Sequence, residues 1–395
     1  MSKAAFVALW CFVLVLPWDV VLYMPVLGSI PRLVGLAASA VGVAYILARR
    51  RIRPLSWFHL FAVLFVLWAG VSVFWSIDAE ATRVRFLTYL QLVVLAWLIW
   101  EIAWSPKQQR ALLQAYVLGT SVLAVATMYN YLSGAALLDH PERFAALNQN
   151  PNELGLTLVL GLPMAWYVSL SQPNRRIAWM WQLYLPVAIA AILLTASRGS
   201  FLAMLVALAI IPATQGRLGP RTKVALYALA LGSLVLAARL VPEASLERIR
   251  TTQADIEAGY FGGRSDIWKA GLQVAQEHPL AGVGAGAYGA AVEPTLHVEW
   301  SSHSVFLAIQ VENGIVGLLL FFAMAAAVIK ALRHLPMLER RCAIVLLLAL
   351  AVGSFSMEWE SRKQFWFVLG LLAAQGAQRA TQTPVVPARR RAATV

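Results

Sequence analysis

Residues 242–303 read PEASLERIRTTQADIEAGYFGGRSDIWKAGLQVAQEHPLAGVGAGAYGAAVEPTLHVEWSSH and interrupt a chain that is otherwise mostly apolar. The stretch ends with His303, at the start of the next apolar run. Its basic residues other than histidine are Arg248, Arg250, Arg264 and Lys269. Because apolar blocks lie on both sides, the pattern predicts a large loop outside a membrane. We expect the charged side chains of this loop and the neighbouring helix ends to form a binding site.

The composition is that of a membrane protein. Of the 395 residues, 60% are apolar and 13% are charged, whereas soluble domains carry about 25% charged residues. A helix needs about 20 residues to cross a hydrocarbon core, and apolar runs of suitable length recur along the chain. We therefore predict an all-α polytopic membrane protein with about 12 transmembrane helices, in which residues 1–395 form one integral membrane domain. The predicted runs lie near 4–23, 31–48, 57–75, 85–104, 108–131, 153–170, 177–194, 199–213, 224–241, 304–329, 341–357 and 364–380.

The basic residues indicate how these helices are oriented. If the N-terminus is inside, most of the 32 lysines and arginines fall in the short inner segments, as the positive-inside rule requires. The pattern predicts cytoplasmic termini, an outer loop over 242–303, and a disordered cytoplasmic tail over 381–395. No small-residue cleavage site follows the first run, so we expect it to remain as an anchor. The net charge of +13 then reflects topology and contact with membrane lipids, and we expect no nucleic-acid partner.

The outer loop is predicted to contain two surface helices. Ser245 can cap a first helix over about 246–259. Ser265 or Asp266 can cap a second helix over about 266–277, after which Pro279 follows. Helices of this kind lie on the membrane plane or cover a cavity.

The glycine run GVGAGAYG at 282–289 matches the G-x-G-x-x-G spacing of dinucleotide-binding loops. That fingerprint needs a preceding strand and a βαβ unit, and the surrounding sequence predicts neither of them. We therefore interpret the run as a turn whose backbone can approach a membrane or a ligand closely.

Arg198 lies in the turn TASRGS, between two apolar runs with almost no loop around it. A charged side chain at bilayer depth costs about 2.5–3.5 kcal/mol, so it usually faces protein or a water-filled cavity and has a partner. The turn contains no acidic residue, and a substrate anion is the predicted partner. The alternative is an arginine that extends to the outer interface.

Arg264 follows Gly262 and Gly263 at the start of the second predicted surface helix. A guanidinium group binds phosphate through two hydrogen bonds, and a helix N-terminus adds backbone N–H donors for the same anion. The alternative is an ordinary ion pair with Asp266 or Glu277. Other polar residues predicted to lie on the outer side include Arg85, Arg143 and Asn152.

His303 is a candidate general base, because an imidazole with a pKa of about 6.5 is mostly neutral near pH 7 and can accept a proton from an alcohol. A structural role is the alternative, and His278 and His297 lie in the same loop. Patterns typical of metal sites, such as paired histidines or clustered cysteines, are missing from the outer segments of the sequence. We therefore expect no metal ion and no cofactor.

Six short motifs occur between residues 150 and 318: NPNELG at 150–155, TASRG at 195–199, GGRSDIW at 262–268, EHPLAGVGAGAY at 277–288, HSVFL at 303–307 and ENGIVGL at 312–318. Together they resemble the O-antigen ligase/polymerase superfamily of bacterial polysaccharide assembly. They occur in the order found in that superfamily, and the large outer loop falls between the same two helices. The resemblance covers about residues 140–320.

The resemblance implies a GT-C-like glycosyltransferase at the periplasmic face of the inner membrane. Such an enzyme passes a glycan from undecaprenyl pyrophosphate to an acceptor, with inversion and without a metal ion. The ligase pattern makes Arg198 and Arg264 the pyrophosphate ligands and His303 the base, and it favours lipid A–core oligosaccharide as the acceptor. The other predicted substrate-binding residues are Arg85, Arg143, Asn152 and Tyr288.

Two other functions remain open from the sequence. One is a different member of the same superfamily, an O-antigen polymerase or a protein O-oligosaccharyltransferase. The other is a transporter or flippase for an anionic lipid-linked glycan, in which the arginines bind the substrate in transit. The charges gather at the predicted outer rim, which favours chemistry there over transport.

Overall fold

A computed structural model describes residues 2–18, 29–135, 137, 143–146, 149–214, 216, 219–220, 223–224 and 264–382. Regular structure in these ranges is helical, which confirms the predicted all-α class. The helices are α1 (Ser2–Val15), α2 (Ile30–Arg49), α3 (Trp57–Val71), α4 (Ala79–Ile102), α5 (Pro106–Leu132), α6 (Pro151–Leu170), α7 (Arg175–Gln182), α8 (Tyr184–Leu194), α9 (Arg198–Leu208), α10 (Ile210–Thr214), α11 (Arg264–Glu277), α12 (Tyr288–Leu296), α13 (Val305–Ala331), α14 (Met337–Ser354) and α15 (Lys363–Gln382).

Eleven of the twelve predicted apolar runs coincide with a helix or a pair of helices, and the run 224–241 lies outside the described residues except for its first position. The run 177–194 is divided between α7 and α8, and 199–213 between α9 and α10. Within the described ranges, seven helical stretches are long and apolar enough to cross a membrane. They are Ile30–Arg49, Trp57–Phe74, Ala79–Ile102, Pro106–Leu132, Pro151–Leu170, Arg175–Leu194 and Val305–His334.

Helix α6 lies at the centre of the bundle. It packs against α5, α8, α9 and α14, and almost all of its residues are buried. A helix that is apolar on every side is typical of such a position. Two tyrosines of neighbouring helices donate hydrogen bonds to its backbone: Tyr116 to the carbonyl of Thr157 at 3.0 Å and Tyr184 to that of Leu158 at 2.8 Å. This packing fixes the position of α6, and with it the start of the helix at Asn150 and Pro151.

Polar contacts join helix termini at each of the two ends of the bundle. On one side Arg49 pairs with Glu101, and Arg379 with Glu339. On the other side, which we call the site face, the helix ends contain Arg85, Arg198 and the segment 355–362. Helices α4, α14 and α15 contribute one end to each side, so the chain alternates in direction. The predicted first surface helix, 246–259, lies outside the described residues.

Candidate active site

Arg198 is the first residue of α9 and follows a very tight turn. Helix α8 ends at Leu194, and the intervening Ala196 has a φ of 49°, in the left-handed region. Ser197 caps α9 by accepting a hydrogen bond from the backbone N–H of Ser200 at 3.3 Å. The turn places the half-buried Arg198 side chain at the site face, where the N-terminal end of α9 carries a partial positive charge that attracts anions.

Arg264 is the first described residue of α11, which begins two residues before the predicted start at 266 and ends at the predicted residue, Glu277. Burial, followed by the positive charge of Arg198, lowers the pKa of Arg264. The guanidinium group stays charged, because an arginine pKa remains far above neutral pH. The two candidate pyrophosphate ligands, which are 66 positions apart, thus lie close enough to repel each other. Two like charges at one partly buried place are typical of a site for an anion.

His303 lies in the same cluster, between the loop and the start of α13. It has a φ of 51°, a left-handed backbone conformation that is uncommon for a residue with a side chain. Its Nε2 atom is 3.4 Å from the hydroxyl oxygen of Ser301. Burial and the charge of Arg264 lower the pKa of His303, and the carboxylate of Glu358 acts in the opposite direction. The imidazole is therefore neutral near pH 7 and able to accept a proton.

Ser302, the residue before His303, is completely buried and fixed at three points. Its backbone N–H donates a hydrogen bond to the Glu358 carboxylate, and its carbonyl accepts one from the Trp268 Nε1 atom at 2.8 Å. Its hydroxyl donates to the carbonyl of Ser304 at 2.7 Å. Sequence reasoning assigned no role to Glu358, and the only signal for it was an acidic residue in a predicted outer connection.

Arg143 and Asn152 contact each other. The Arg143 Nε atom donates to the carbonyl of Thr195 at 2.9 Å, and the same guanidinium group donates to the side-chain oxygen of Asn152 at 2.8 Å. Arg143 is only 8% exposed. These bonds connect the segment 143–146 with the start of α6 and with the turn that precedes Arg198. The structure thus shows both residues supporting the turn, and a direct contact with substrate stays a prediction.

Arg85 lies in α4 at the site face, but its partners are carboxylates of the protein. It forms ion pairs with Glu360 at 2.6 Å and with Glu312 at 3.8 Å, and both carboxylates are only 1% exposed. Burial raises the pKa of Glu360 to about 8, although the charge of Arg85 lowers it. The structure thus shows this guanidinium group held by two buried acids, and a direct contact of Arg85 with the substrate anion stays a prediction.

Tyr288 begins α12, a short helix that the sequence did not predict because it contains Pro294 and follows a glycine run. The tyrosine is buried, and its hydroxyl donates to the carbonyl of Ile267 at 2.9 Å. This bond packs α12 against α11. The observed partner of Tyr288 is the helix that carries Arg264, and a contact of Tyr288 with substrate stays a prediction.

The glycine run after α11 docks onto a break in α13. Gly314 has φ 64° and ψ −168°, a conformation that is essentially restricted to glycine, and a Cβ atom there would lie 2.2 Å from the carbonyl oxygen of Leu280. Beside the break, the N–H of Gly284, itself at φ 112°, donates to the carbonyl of Glu312 at 2.9 Å. The predicted close backbone approach is present. The partner that the structure shows is the protein's own helix α13, and an approach to a membrane or a ligand stays a prediction.

The helical fold and the cationic site together define the class of the protein. An all-helical chain with seven candidate spans among its described residues, and with cationic groups gathered at one end of the bundle, is a polytopic membrane protein with a candidate anion site. Among the residues that the structure describes, no group of three histidine, cysteine or acidic side chains could hold a metal ion.

Comparison with known proteins then gives the family. Residues 183–322 match the family described as O-antigen ligase. Over 283 residues the chain is 26% identical to the exopolysaccharide production protein ExoQ of Rhizobium meliloti (strain 1021), a match that covers 66% of this chain and 62% of ExoQ. The chain thus spans less than two thirds of that relative's length. These matches confirm the resemblance seen in the sequence: the chain is similar to members of the O-antigen ligase/polymerase superfamily. Arg198, Arg264 and His303 all lie within the matched segment.

Proposed function

We propose that this protein is an O-antigen ligase, which transfers a glycan from undecaprenyl pyrophosphate to lipid A–core oligosaccharide at the periplasmic face of the inner membrane. The observation that carries the proposal is the cluster of Arg198, Arg264 and His303, in which two guanidinium groups and a neutral imidazole meet at one end of the helix bundle. The basic residues in the predicted inner segments support an assignment of this end to the periplasm.

The proposed reaction is a direct displacement. A hydroxyl oxygen of the acceptor sugar attacks the anomeric carbon, and the bond between that carbon and the pyrophosphate oxygen breaks with inversion. The hydroxyl proton moves to the imidazole of His303, and the bonding electron pair leaves with undecaprenyl pyrophosphate. Arg198 and Arg264 stabilise the negative charge that develops on the leaving group. Fixed cations in a partly buried site are effective in this role, because they need little reorganisation during the reaction.

Purified protein supplied with lipid-linked O-antigen and lipid A–core should form full-length lipopolysaccharide without nucleotide and in the presence of a chelator. Arg264→Gln should weaken donor binding by about 1.5–3 kcal/mol, the usual loss for one charge-assisted hydrogen bond. His303→Gln should abolish transfer while donor binding persists. The matched control is Lys269→Gln, because Lys269 lies on the same helix and forms an exposed pair with Asp266 at 3.5 Å. Full transfer by the Arg264 and His303 variants would refute the proposed site.

A polymerase is the second candidate, favoured by the resemblance to a protein named for exopolysaccharide production. The two functions differ in the acceptor. A polymerase extends the lipid-linked glycan itself, so product would lengthen on undecaprenyl pyrophosphate when lipid A–core is omitted. A ligase consumes donor only when lipid A–core is present. Gel analysis of the products from matched reactions with and without lipid A–core separates the two.

A further inference from the structure

We propose that Glu358 is a positioning residue for His303, which it holds through the backbone of Ser302. The proposal rests on the proposed function, because it assigns Glu358 to the proton transfer of the same site. Glu358 lies in the segment between α14 and α15, outside the part of the chain that matches the ligase family.

The backbone at His303 needs support. A non-glycine residue in the left-handed region is held in an unfavourable conformation, which persists only where the surrounding structure fixes it. Ser302, the residue before His303, is fixed by bonds from two separate elements. Glu358 accepts the N–H of Ser302, and Trp268 of α11 donates to its carbonyl at 2.8 Å. The orientation of the imidazole therefore depends on both partners.

Trp268 also connects the base with the anion ligand. Trp268 and Arg264 are four residues apart in α11, so they lie on the same face of that helix. The helix that presents Arg264 thereby also fixes the carbonyl of Ser302. Glu358, in the connection between α14 and α15, fixes the N–H of Ser302. Removal of Glu358 leaves only one of these two contacts from other elements, and the imidazole then has more freedom to turn.

The charge of Glu358 gives a second effect that a purely structural residue would lack. Within the part of the chain that the structure describes, the charged groups that act on His303 are Arg264 from α11 and Glu358 from the α14–α15 connection. Burial and Arg264 lower the pKa of His303, whereas Glu358 raises it. An imidazole that accepts a proton from the acceptor hydroxyl becomes a cation, and a nearby carboxylate stabilises that cation.

The test compares Glu358→Gln with Glu358→Ala. The glutamine retains an oxygen that can accept the Ser302 N–H but removes the charge, and the alanine removes both. We expect kcat to fall roughly 10- to 100-fold in the alanine variant and less in the glutamine variant, with the donor KM unchanged in both. We also expect the acid limb of the pH–rate profile to move to lower pH in the glutamine variant. The matched control is Glu299→Gln, since Glu299 is an exposed acid four residues before His303.

A titration that does not depend on transfer separates this proposal from the proposed function. Histidine-labelled protein, with the His303 signal assigned by His303→Gln, reports the pKa of this one imidazole by NMR. Glu358→Gln should lower that pKa relative to the wild type, even if the assay detects no glycan transfer. An unchanged pKa together with an unchanged kcat in both variants would overturn the proposal. If the alanine variant does not fold, the pKa and pH profile of the glutamine variant decide.

Discussion

Arg85 and Arg264 lie on the same face of the helix bundle but in opposite electrostatic surroundings. Arg85 lies between two buried carboxylates, Glu312 and Glu360. Arg264 lies near a second arginine, Arg198, whose positive charge lowers the pKa of Arg264. A buried arginine with protein carboxylates around it has its partners within the fold. An arginine placed beside another cation is stabilised when an anion binds to both.

The contrast indicates that the pair of Arg198 and Arg264 lowers the stability of the folded protein but favours the binding of an anion. Groups of like charge in a partly buried place destabilise the folded state, and such arrangements concentrate at functional sites. The Arg85 cluster instead joins α4, α13 and the segment before α15, which are distant in the sequence. We therefore interpret Arg85 as a structural arginine and Arg264 as a ligand of substrate.

The largest expected effect is the loss of the Arg85 cluster. Arg85→Met should reduce the free energy of unfolding by about 3–5 kcal/mol, because it leaves two buried carboxylates without their cation. Arg83→Met is the matched control: Arg83 forms an exposed pair with Glu80 at 3.6 Å, and its loss should change stability by less than about 0.5 kcal/mol. Thermal unfolding in detergent measures both. An Arg85 variant that is fully stable but fails to bind donor would reverse our interpretation.

The response to an anion should be smaller and confined to the arginine pair. Inorganic pyrophosphate at 100 times its dissociation constant should stabilise the wild type by about 2.7 kcal/mol, since it binds only the folded site. Arg264→Gln should lose this stabilisation. Without ligand, the same variant should be no less stable than the wild type, because the substitution removes a repulsion with Arg198. Equal stabilisation of wild type and variant by pyrophosphate would contradict an anion site at Arg264.

Local sequence patterns were sufficient to predict the long apolar helices, but not the short helix α12. Hydropathy predicted twelve apolar runs, and eleven of them coincide with helices. The abrupt polar breaks between apolar runs singled out Arg198 and Arg264 as candidate ligands of an anion. The same patterns could not distinguish Arg85 from those two, because its partner Glu360 is 275 positions away. The role of Ser302 and Glu358 also depends on tertiary contacts. A helix break at Gly314 that accepts a glycine run has no periodic signature, so only the folded structure reveals it.

The smallest expected effect is a displacement of the pH profile, and it provides the finest test of the contrast. Burial and Arg264 lower the pKa of His303, so the acid limb of kcat/KM should lie at lower pH than for an ordinary histidine. Arg264→Gln removes a positive charge that disfavours the imidazolium. The pKa of His303 should therefore rise and the acid limb should move to higher pH, even though donor binding is weaker.

Lys269→Gln on the same helix should leave the limb in place, because Lys269 is exposed and pairs with Asp266. If the acid limb moves equally in both variants, the pKa of His303 depends only on the net charge of the loop and not on Arg264 in particular. A limb that moves in Arg264→Gln alone requires the imidazole and this guanidinium group to be neighbours in the working enzyme.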